Sequence, residues 1–271
     1  MTTATSPRRS TPSPAASPDE TEWNLRVELA AVYRLVAHFK MTDLIFSHIS
    51  LRLPGDDPRF LINPYGLLFE EITASGLVVV GLDGEPVSPG GHRVNPAGFV
   101  IHSAIHEARP DAHSVLHTHS RSGCAVAAQK GGLLPLNQMS MEFYGRTAYH
   151  DYEGVALNDD EKARLVADLG DRNAMILRNH GLLTVGESAS RAFLRMFYLE
   201  RACEIQIAAQ SAGQDLILPS HEIAEHTARQ LNNEHPSGAD DHDNSDNSDN
   251  WDLAWAALQR LVDRVAPDHR S

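Results

Sequence analysis

Short apolar runs typical of buried strands alternate with longer stretches of helical spacing, without the regular strand–helix–strand rhythm of a parallel sheet. Apolar residues recur at helical spacing from Glu20 to Lys40, which predicts an amphipathic opening helix. We expect strands at 60–63, 76–82, 114–118, 174–177 and after Gly181, and helices at 97–109, 122–129, 188–210 and 251–265. This mixture predicts an α/β or α+β fold of three layers, in which helices cover a mostly antiparallel central sheet.

Two polar segments of biased composition divide the chain. Residues 1–19 are rich in Ser, Pro, Thr and Ala, and residues 235–250 are rich in Asp, Asn and Ser. Because such segments bury too little apolar surface to offset the entropy of ordering, we expect a disordered tail and an acidic disordered linker. One domain then covers residues 20–234, and a C-terminal helix over 251–266 packs on it.

Charge and cysteine content exclude several classes of partner. Acidic residues outnumber basic residues by 36 to 23, which gives a formal net charge of -13. This charge repels nucleic acid and anionic lipid, so neither is expected as a partner. Cys124 and Cys203 are too few for a disulfide framework, and no apolar run approaches the roughly 18–20 residues of a membrane span. We therefore expect a cytoplasmic protein with a small-molecule substrate.

A His-x-His pair in VLHTHS and a single histidine in LRNHGLL are candidate metal ligands. Because alternate residues of a strand share a face, His117 and His119 point the same way, as two ligands of one ion require. Gly181 can turn the chain sharply after His180 and bring that imidazole to the end of a neighbouring strand. The pattern alone also allows a polar sheet face and a hydrogen-bonded turn histidine.

The segment NPAGFVIHSAIHEARPDAHSVLHTHS, with LINPYGLLFEEITASGLVVV before it and LRNHGLLTVG after it, resembles the class II aldolase/adducin family. The resemblance extends from Asn24 to Gly213 and is strongest to the adducin head-domain branch. It implies a central antiparallel sheet with helices on both faces, and a homotetramer with sites at subunit boundaries. It also implies that His117, His119 and His180 bind one divalent cation.

Three neutral imidazoles leave open positions on a divalent cation, which is typical of catalytic rather than structural sites. Imidazole binds several transition metals, so the ligands predict Fe²⁺ or Zn²⁺ and, with less support, Mn²⁺. An open cation can polarise a carbonyl oxygen or activate water, and iron can also bind O₂.

The sequence departs from the family's aldolases at two places. Those enzymes carry an acid/base glutamate four residues before the histidine that matches His102, and here that position is Gly98. Their phosphate-holding Gly-Asn pair is replaced by His48-Ile49, directly before Ser50. These departures predict a non-phosphorylated substrate and a site without the usual acid.

Polar residues close to the metal motif or to these departures are expected to line the site. We expect Glu142 and Tyr149 to be catalytic, because Glu142 is the nearest substitute acid along the chain and Tyr149 can orient the substrate. The expected substrate-binding residues are His48, Ser50, Gly98 and Gln138. His48 is equally compatible with a hydrogen-bonded turn, and Glu142 with an exposed surface position.

Three functions are compatible with these features. The leading hypothesis is an Fe²⁺- and O₂-dependent oxidative decarboxylase of a prenylated 4-hydroxyphenylpyruvate- or mandelate-type acid. It resembles the non-haem iron oxygenases that make the hydroxybenzoate ring of aminocoumarin antibiotics, and it needs no carboxylate base. The second is a zinc- or manganese-dependent aldolase, decarboxylase or epimerase with a relocated acid. The third is a non-enzymatic, adducin-like interaction module, since fold alone does not determine function.

Overall fold

The structure is a computed structural model that describes residues 18–87, 93–154, 159–234 and 247–271. Its strands are β1 (His48–Arg52), β2 (Arg59–Ile62), β3 (Val78–Gly81), β4 (Ser114–Thr118), β5 (Thr147–His150), β6 (Ala174–Leu177) and β7 (Gly181–Gly186). They form one sheet in the order β3-β2-β1-β4-β7-β6-β5. Every neighbouring pair is antiparallel except β5 and β6, which are parallel. The predicted mostly antiparallel sheet is confirmed.

Helices cover both faces of this sheet. They are α1 (Pro18–His38), α2 (Pro96–Ala108), α3 (Arg121–Ala127), α4 (Gln138–Glu142), α5 (Asp159–Leu169), α6 (Ala189–Ser211), α7 (His221–Leu231) and α8 (Asn247–Val265). Leu116 of β4 is buried in a core with residues of α1 and α6, whereas Val115 is buried in a second core with residues of α2 and α5. The alternation of side chains along each strand thus separates the two cores.

The structure adds elements that the sequence pattern did not predict: β1, β5, α4, α5 and α7. Of the expected disordered segments, residues 1–17 and 235–246 lie outside the described residues, whereas 18–19 and 247–250 are helical. The C-terminal helix α8 packs through Trp251, Trp255 and Val262 on the core that contains α1 and α6. Among the described helices, none has the length and apolarity needed to span a bilayer.

A buried tyrosine joins α1 to the strands behind the site. The Tyr33 hydroxyl lies 2.5 Å from the Ile49 carbonyl oxygen, and it accepts hydrogen bonds from the backbone N–H groups of Ile49 and Asn63, each at 3.0 Å. Its ring packs edge-on against Phe69. Because the hydroxyl pairs buried backbone groups of β1, it helps to fix the strand that carries His48.

We predict that Tyr33→Phe lowers the free energy of unfolding by about 1–3 kcal/mol, because buried backbone groups of Ile49 and Asn63 lose their partner. Urea denaturation followed by circular dichroism measures the change. Tyr65→Phe is the matched control, because Tyr65 is 37% exposed, and it should change the free energy by less than about 0.5 kcal/mol. Equal effects of the two substitutions would contradict the prediction.

Candidate metal centre

Three histidines from distant parts of the chain meet at one end of β4 and β7. The Nε2 atoms of His117 and His180 each lie 2.9 Å from the Nε2 atom of His119. A tetrahedral site with metal–nitrogen bonds of about 2.0–2.1 Å places neighbouring ligand atoms about 3.3 Å apart. The three imidazoles are therefore close to the spacing of ligands on one cation, and a small outward movement completes the fit.

The hydrogen-bond partners of His117 and His119 show which nitrogen of each ring is available to a cation. His117 donates its Nδ1–H to the Leu182 carbonyl oxygen at 2.8 Å, and His119 donates its Nδ1–H to the Asp43 carboxylate at 3.0 Å. In their neutral forms both rings therefore carry no hydrogen on Nε2. Two bare nitrogen lone pairs at 2.9 Å repel each other, whereas a cation between them converts the same geometry into ligation.

A close backbone contact brings His180 to the other two ligands. Asn179 has a positive φ of 54°, and this turn leads from β6 through His180 into β7. A Cβ atom on Gly181 would lie 2.3 Å from the Thr118 carbonyl oxygen, so only glycine allows β7 to begin against the end of β4. The sharp turn expected at Gly181 lies instead at Asn179, and Gly181 is required for the close approach of β7 to the end of β4.

Burial keeps the imidazoles in the state that binds metal. Desolvation, reinforced by His48 and His180, holds the pKa of His117 well below its ordinary value. Desolvation and the neighbouring His119 lower the pKa of His180 to about 4. Both rings are therefore neutral at pH 7 and present lone pairs, as metal ligation requires.

His48 and Gly98 lie directly beside the three histidines. His48 is the cross-strand neighbour of His117, and their ring centroids are 5.1 Å apart. A Cβ atom on Gly98 would lie 2.3 Å from Cδ2 and 2.6 Å from Nε2 of His48. The imidazole of His48 therefore occupies the space into which a side chain at position 98 would project.

The hydroxyl of Ser50, which we expect to contact substrate, is hydrogen-bonded inside the protein. Ser50 is 1% exposed, and its Oγ lies 2.6 Å from Nδ1 of His102 and 2.7 Å from Nε2 of His106. The hydroxyl donates one of these hydrogen bonds and accepts the other. It therefore lies behind His102 and not at the surface of the site.

Tyr149 is not brought to the metal ligands either. Across the register of β4, β7, β6 and β5, the face of His117 continues through Leu183 to Ala148. Tyr149 follows Ala148 and therefore lies on the opposite face, where its hydroxyl accepts a hydrogen bond from the backbone N–H of Leu133 at 3.1 Å. Within this chain, strand alternation therefore separates the expected catalytic tyrosine from the three histidines.

Glu142 and Gln138 lie away from the three histidines. Glu142 lines a cavity of about 470 Å³ with Asn173 and Ala174, at the beginning of β6, whereas His180 lies beyond the end of that strand. Gln138 and Glu142 also line a neighbouring cavity together with Trp251. Proximity along the chain to the His-x-His pair does not place these residues in the site.

The carboxyl of Glu142 is nevertheless perturbed by its surroundings. Burial raises the pKa of Glu142 to about 7, and the guanidinium of Arg195 opposes this rise. None of His117, His119 and His180 lines either cavity that contains Glu142. The raised pKa therefore reflects packing of α4 and supplies no acid to the histidines.

Residues 27–207 match the family described as Class II Aldolase and Adducin N-terminal domain. This chain belongs to the class II aldolase/adducin family. An aldolase II superfamily protein from Pseudomonas syringae is 51% identical, with a TM-score of 0.84, over 94% of this chain and 98% of its own. An L-fuculose 1-phosphate aldolase from Glaciozyma antarctica PI12 is 30% identical, with a TM-score of 0.80, over 96% and 97%.

The adducin side of the family is also represented. Alpha-adducin from Rattus norvegicus is 40% identical over 254 residues, which cover 91% of this chain and 34% of the adducin. The chain therefore matches about a third of that protein, and the relatedness confirms the predicted family but does not transfer the adducin's whole-protein role.

Of three polar residues that support this family site, sequence reasoning missed Asp43 and His106 and used His102 only as a landmark of the family motif. Asp43, in the segment between α1 and β1, fixes the His119 ring through its carboxylate. His102 and His106 form a buried hydrogen-bonded group with Ser50 behind His48. The spacing of His102 and His106, one helical turn apart on α2, was the available signal that they share a face.

We predict that Asp43→Asn weakens Zn²⁺ binding by about 10–100-fold, because outer carboxylates orient a ligating imidazole and raise its basicity. Competition with a chromophoric chelator measures the affinity. Asp56→Asn, an exposed carboxylate in a loop, is the control and should bind Zn²⁺ like the parent protein. Unchanged affinity in Asp43→Asn would remove this carboxylate from the site.

Proposed function

We propose that this protein is a metal-dependent lyase that cleaves a carbon–carbon bond of a small, non-phosphorylated 2-keto or 2-hydroxy acid. The observation that carries the proposal is the convergence of three Nε2 atoms, two of which belong to rings whose Nδ1–H groups are committed to partners outside the cluster. Such a set binds a divalent cation through His117, His119 and His180 and leaves positions for substrate oxygens. When bound, that cation supplies Lewis-acid stabilisation of negative charge on a substrate oxygen.

The proposal excludes a phosphate group because of what replaces the family's phosphate-holding residues. Ile49 is fully buried in the core with α1 and α6, so it contributes no polar group. The Ser50 hydroxyl is bonded to His102 and His106. We therefore do not carry over the substrate in the name of the Glaciozyma relative.

The chemistry proposed here does not use a carboxylate acid at position 98. Gly98 has no side chain, and the space beside it is filled by the ring of His48. His48 is the polar residue that we assign to substrate contact, while Gly98 makes room for that ring. His48 would orient the substrate, and a cation held by the histidine cluster would stabilise the negative charge that cleavage leaves on a substrate oxygen. Water would take the hydroxyl proton and return a proton to the carbon that loses its partner.

Two other functions remain as outcomes of the test. An Fe²⁺- and O₂-dependent decarboxylation would use the same open cluster, but none of the relatives named above is an oxygenase by name. A non-enzymatic role is favoured by one observation, the 40% identity to alpha-adducin in a chain that lacks the aldolase glutamate. The close grouping of His117, His119 and His180 argues for catalysis instead.

The proposal also covers the oligomeric state of the protein and its location in the cell. A cyclic homotetramer in the cytosol, with sites near subunit boundaries, follows from the family resemblance. The position of His119 agrees with an accessible site, because its side chain is 22% exposed and its partner Asp43 is 44% exposed.

We predict that protein purified without a histidine tag carries stoichiometric Zn²⁺ or Fe²⁺ and cleaves a member of a panel of 2-keto and 2-hydroxy acids without O₂. His117→Ala should lose both bound metal and turnover, because one of three ligands is removed. Elemental analysis and mass spectrometry of products measure the two effects. Glu142→Gln is the matched control and should keep turnover within about twofold.

Each alternative gives a different result in this experiment. Turnover that requires O₂ would replace the lyase with an iron oxygenase. Protein that binds no metal under any loading condition would instead favour the interaction module. Turnover that survives in His117→Ala would refute the ligand assignment.

A further inference from the structure

A continuous chain of hydrogen bonds runs from the side of the metal site into the protein. Nδ1 of His48 lies 2.8 Å from Nε2 of His102, and Nδ1 of His102 lies 2.6 Å from Oγ of Ser50. Oγ of Ser50 lies 2.7 Å from Nε2 of His106, whose Nδ1 lies 3.0 Å from the Ala112 carbonyl oxygen. All four side chains are buried, so no bulk solvent competes for these bonds.

The carbonyl at the inner end gives the chain one direction. A carbonyl oxygen only accepts, so His106 donates its Nδ1–H to Ala112 and leaves Nε2 without a hydrogen. Ser50 must then donate to His106 and accept from Nδ1–H of His102. Nε2 of His102 in turn accepts from Nδ1–H of His48. Nε2 of His48 is consequently left with a lone pair.

The opposite direction would require a positive charge on His106, since both of its nitrogens would then donate. Burial and the adjacent guanidinium of Arg52 lower the pKa of His106 to about 3, so this ring is neutral at pH 7. Phe60 stacks on the same ring, with centroids 4.4 Å apart and planes at 16°. A flip of the ring would put carbon atoms where its nitrogens now meet Ala112 and Ser50, so these two hydrogen bonds fix its orientation.

The free nitrogen of His48 borders the metal site. A Cβ built on Gly98 would lie 2.6 Å from this nitrogen, so the ring can take its present position only because residue 98 has no side chain. The ring also lies against His117, and His119 and His180 are close enough to influence its charge. Within the described residues, no donor is hydrogen-bonded to this nitrogen.

We propose that this chain makes Nε2 of His48 a fixed hydrogen-bond acceptor, and that the acceptor selects a substrate with a hydroxyl group beside its metal-binding oxygens. A 2-hydroxy acid can donate such a hydrogen bond, whereas the corresponding 2-keto acid cannot. The inference rests on the proposed function for the class of acid, and it names the 2-hydroxy member as the one preferred. Ser50, His102 and His106 act as positioning residues, since they work through His48.

Nuclear magnetic resonance of ¹⁵N-histidine-labelled, metal-free full-length protein tests the chain directly. His48, His102 and His106 should each show the Nδ1–H tautomer, with Nε2 unprotonated. In Ser50→Ala the link is cut, so His102 can place its hydrogen on Nε2 and His48 can become a donor. Ser50→Thr keeps the hydroxyl and should restore the parent tautomers. A protonated Nε2 on His48 in the parent protein would overturn the proposal.

Selection is tested by calorimetric titration of Zn²⁺-loaded protein with lactate, which carries a hydroxyl group on C2, and pyruvate, which carries a carbonyl oxygen there. The ratio of lactate to pyruvate affinity should fall about tenfold in Ser50→Ala and recover in Ser50→Thr, because one good hydrogen bond is lost. Metal stoichiometry should stay unchanged in both variants. An unchanged ratio in Ser50→Ala would overturn the selection.

The two measurements also separate this inference from the proposed function. Binding of neither acid, with the expected tautomers present, would refute the substrate class and with it the selection, while the hydrogen-bond chain would stand. Binding of both acids with the wrong tautomers would leave the proposed function intact and refute the chain. If Ser50→Ala fails to fold, the tautomers of the parent protein still decide whether His48 is an acceptor.

Discussion

The close contact between Gly181 and the Thr118 carbonyl is the constraint on which the metal centre depends. It lets β7 start against the end of β4, and the turn through Asn179 then brings His180 to the pair on and beyond β4. Any side chain at position 181 would push the two backbones apart. The ligand geometry is thus set by main-chain packing before any cation contributes to it.

The ring of His48 has the same orientation as the rings of His117 and His119. His117, His119 and His48 each direct Nδ1–H outward, to a carbonyl oxygen, a carboxylate and another imidazole respectively. The Nε2 atoms therefore face a shared space, which is pre-organised for positively charged or hydrogen-donating groups. Because burial keeps the pKa values of His117 and His48 low, this arrangement persists at neutral pH.

Local patterns predicted several strands of the sheet, and strand periodicity together with the family resemblance predicted that His117, His119 and His180 come together. Residues 174–177 are a continuous apolar run, strands 114–118 and 174–177 are buried on both faces, and the His-x-His spacing follows strand periodicity. β5 is only four residues long and begins and ends on polar residues, so periodicity gave no signal for it, whereas the helical spacing of apolar residues in α7 was present and was missed. Glu142 and Tyr149 were misplaced because nearness along the chain says nothing about strand face or about which end of a strand is used. The pairing of His48 with His117 required the register of β1 on β4.

The contact between Gly98 and His48 also limits how this site can change during evolution. A glutamate at position 98, as the family's aldolases carry, cannot be accommodated while the ring of His48 stands 2.3 Å from the new Cβ. Replacing His48 by a smaller residue first would break the buried hydrogen-bond chain and leave a cavity beside Gly98. Conversion between a site with glutamate at position 98 and a site with His48 beside Gly98 therefore passes through an unfavourable single mutant. Positions 48 and 98 should consequently covary among proteins that descend from a common ancestor.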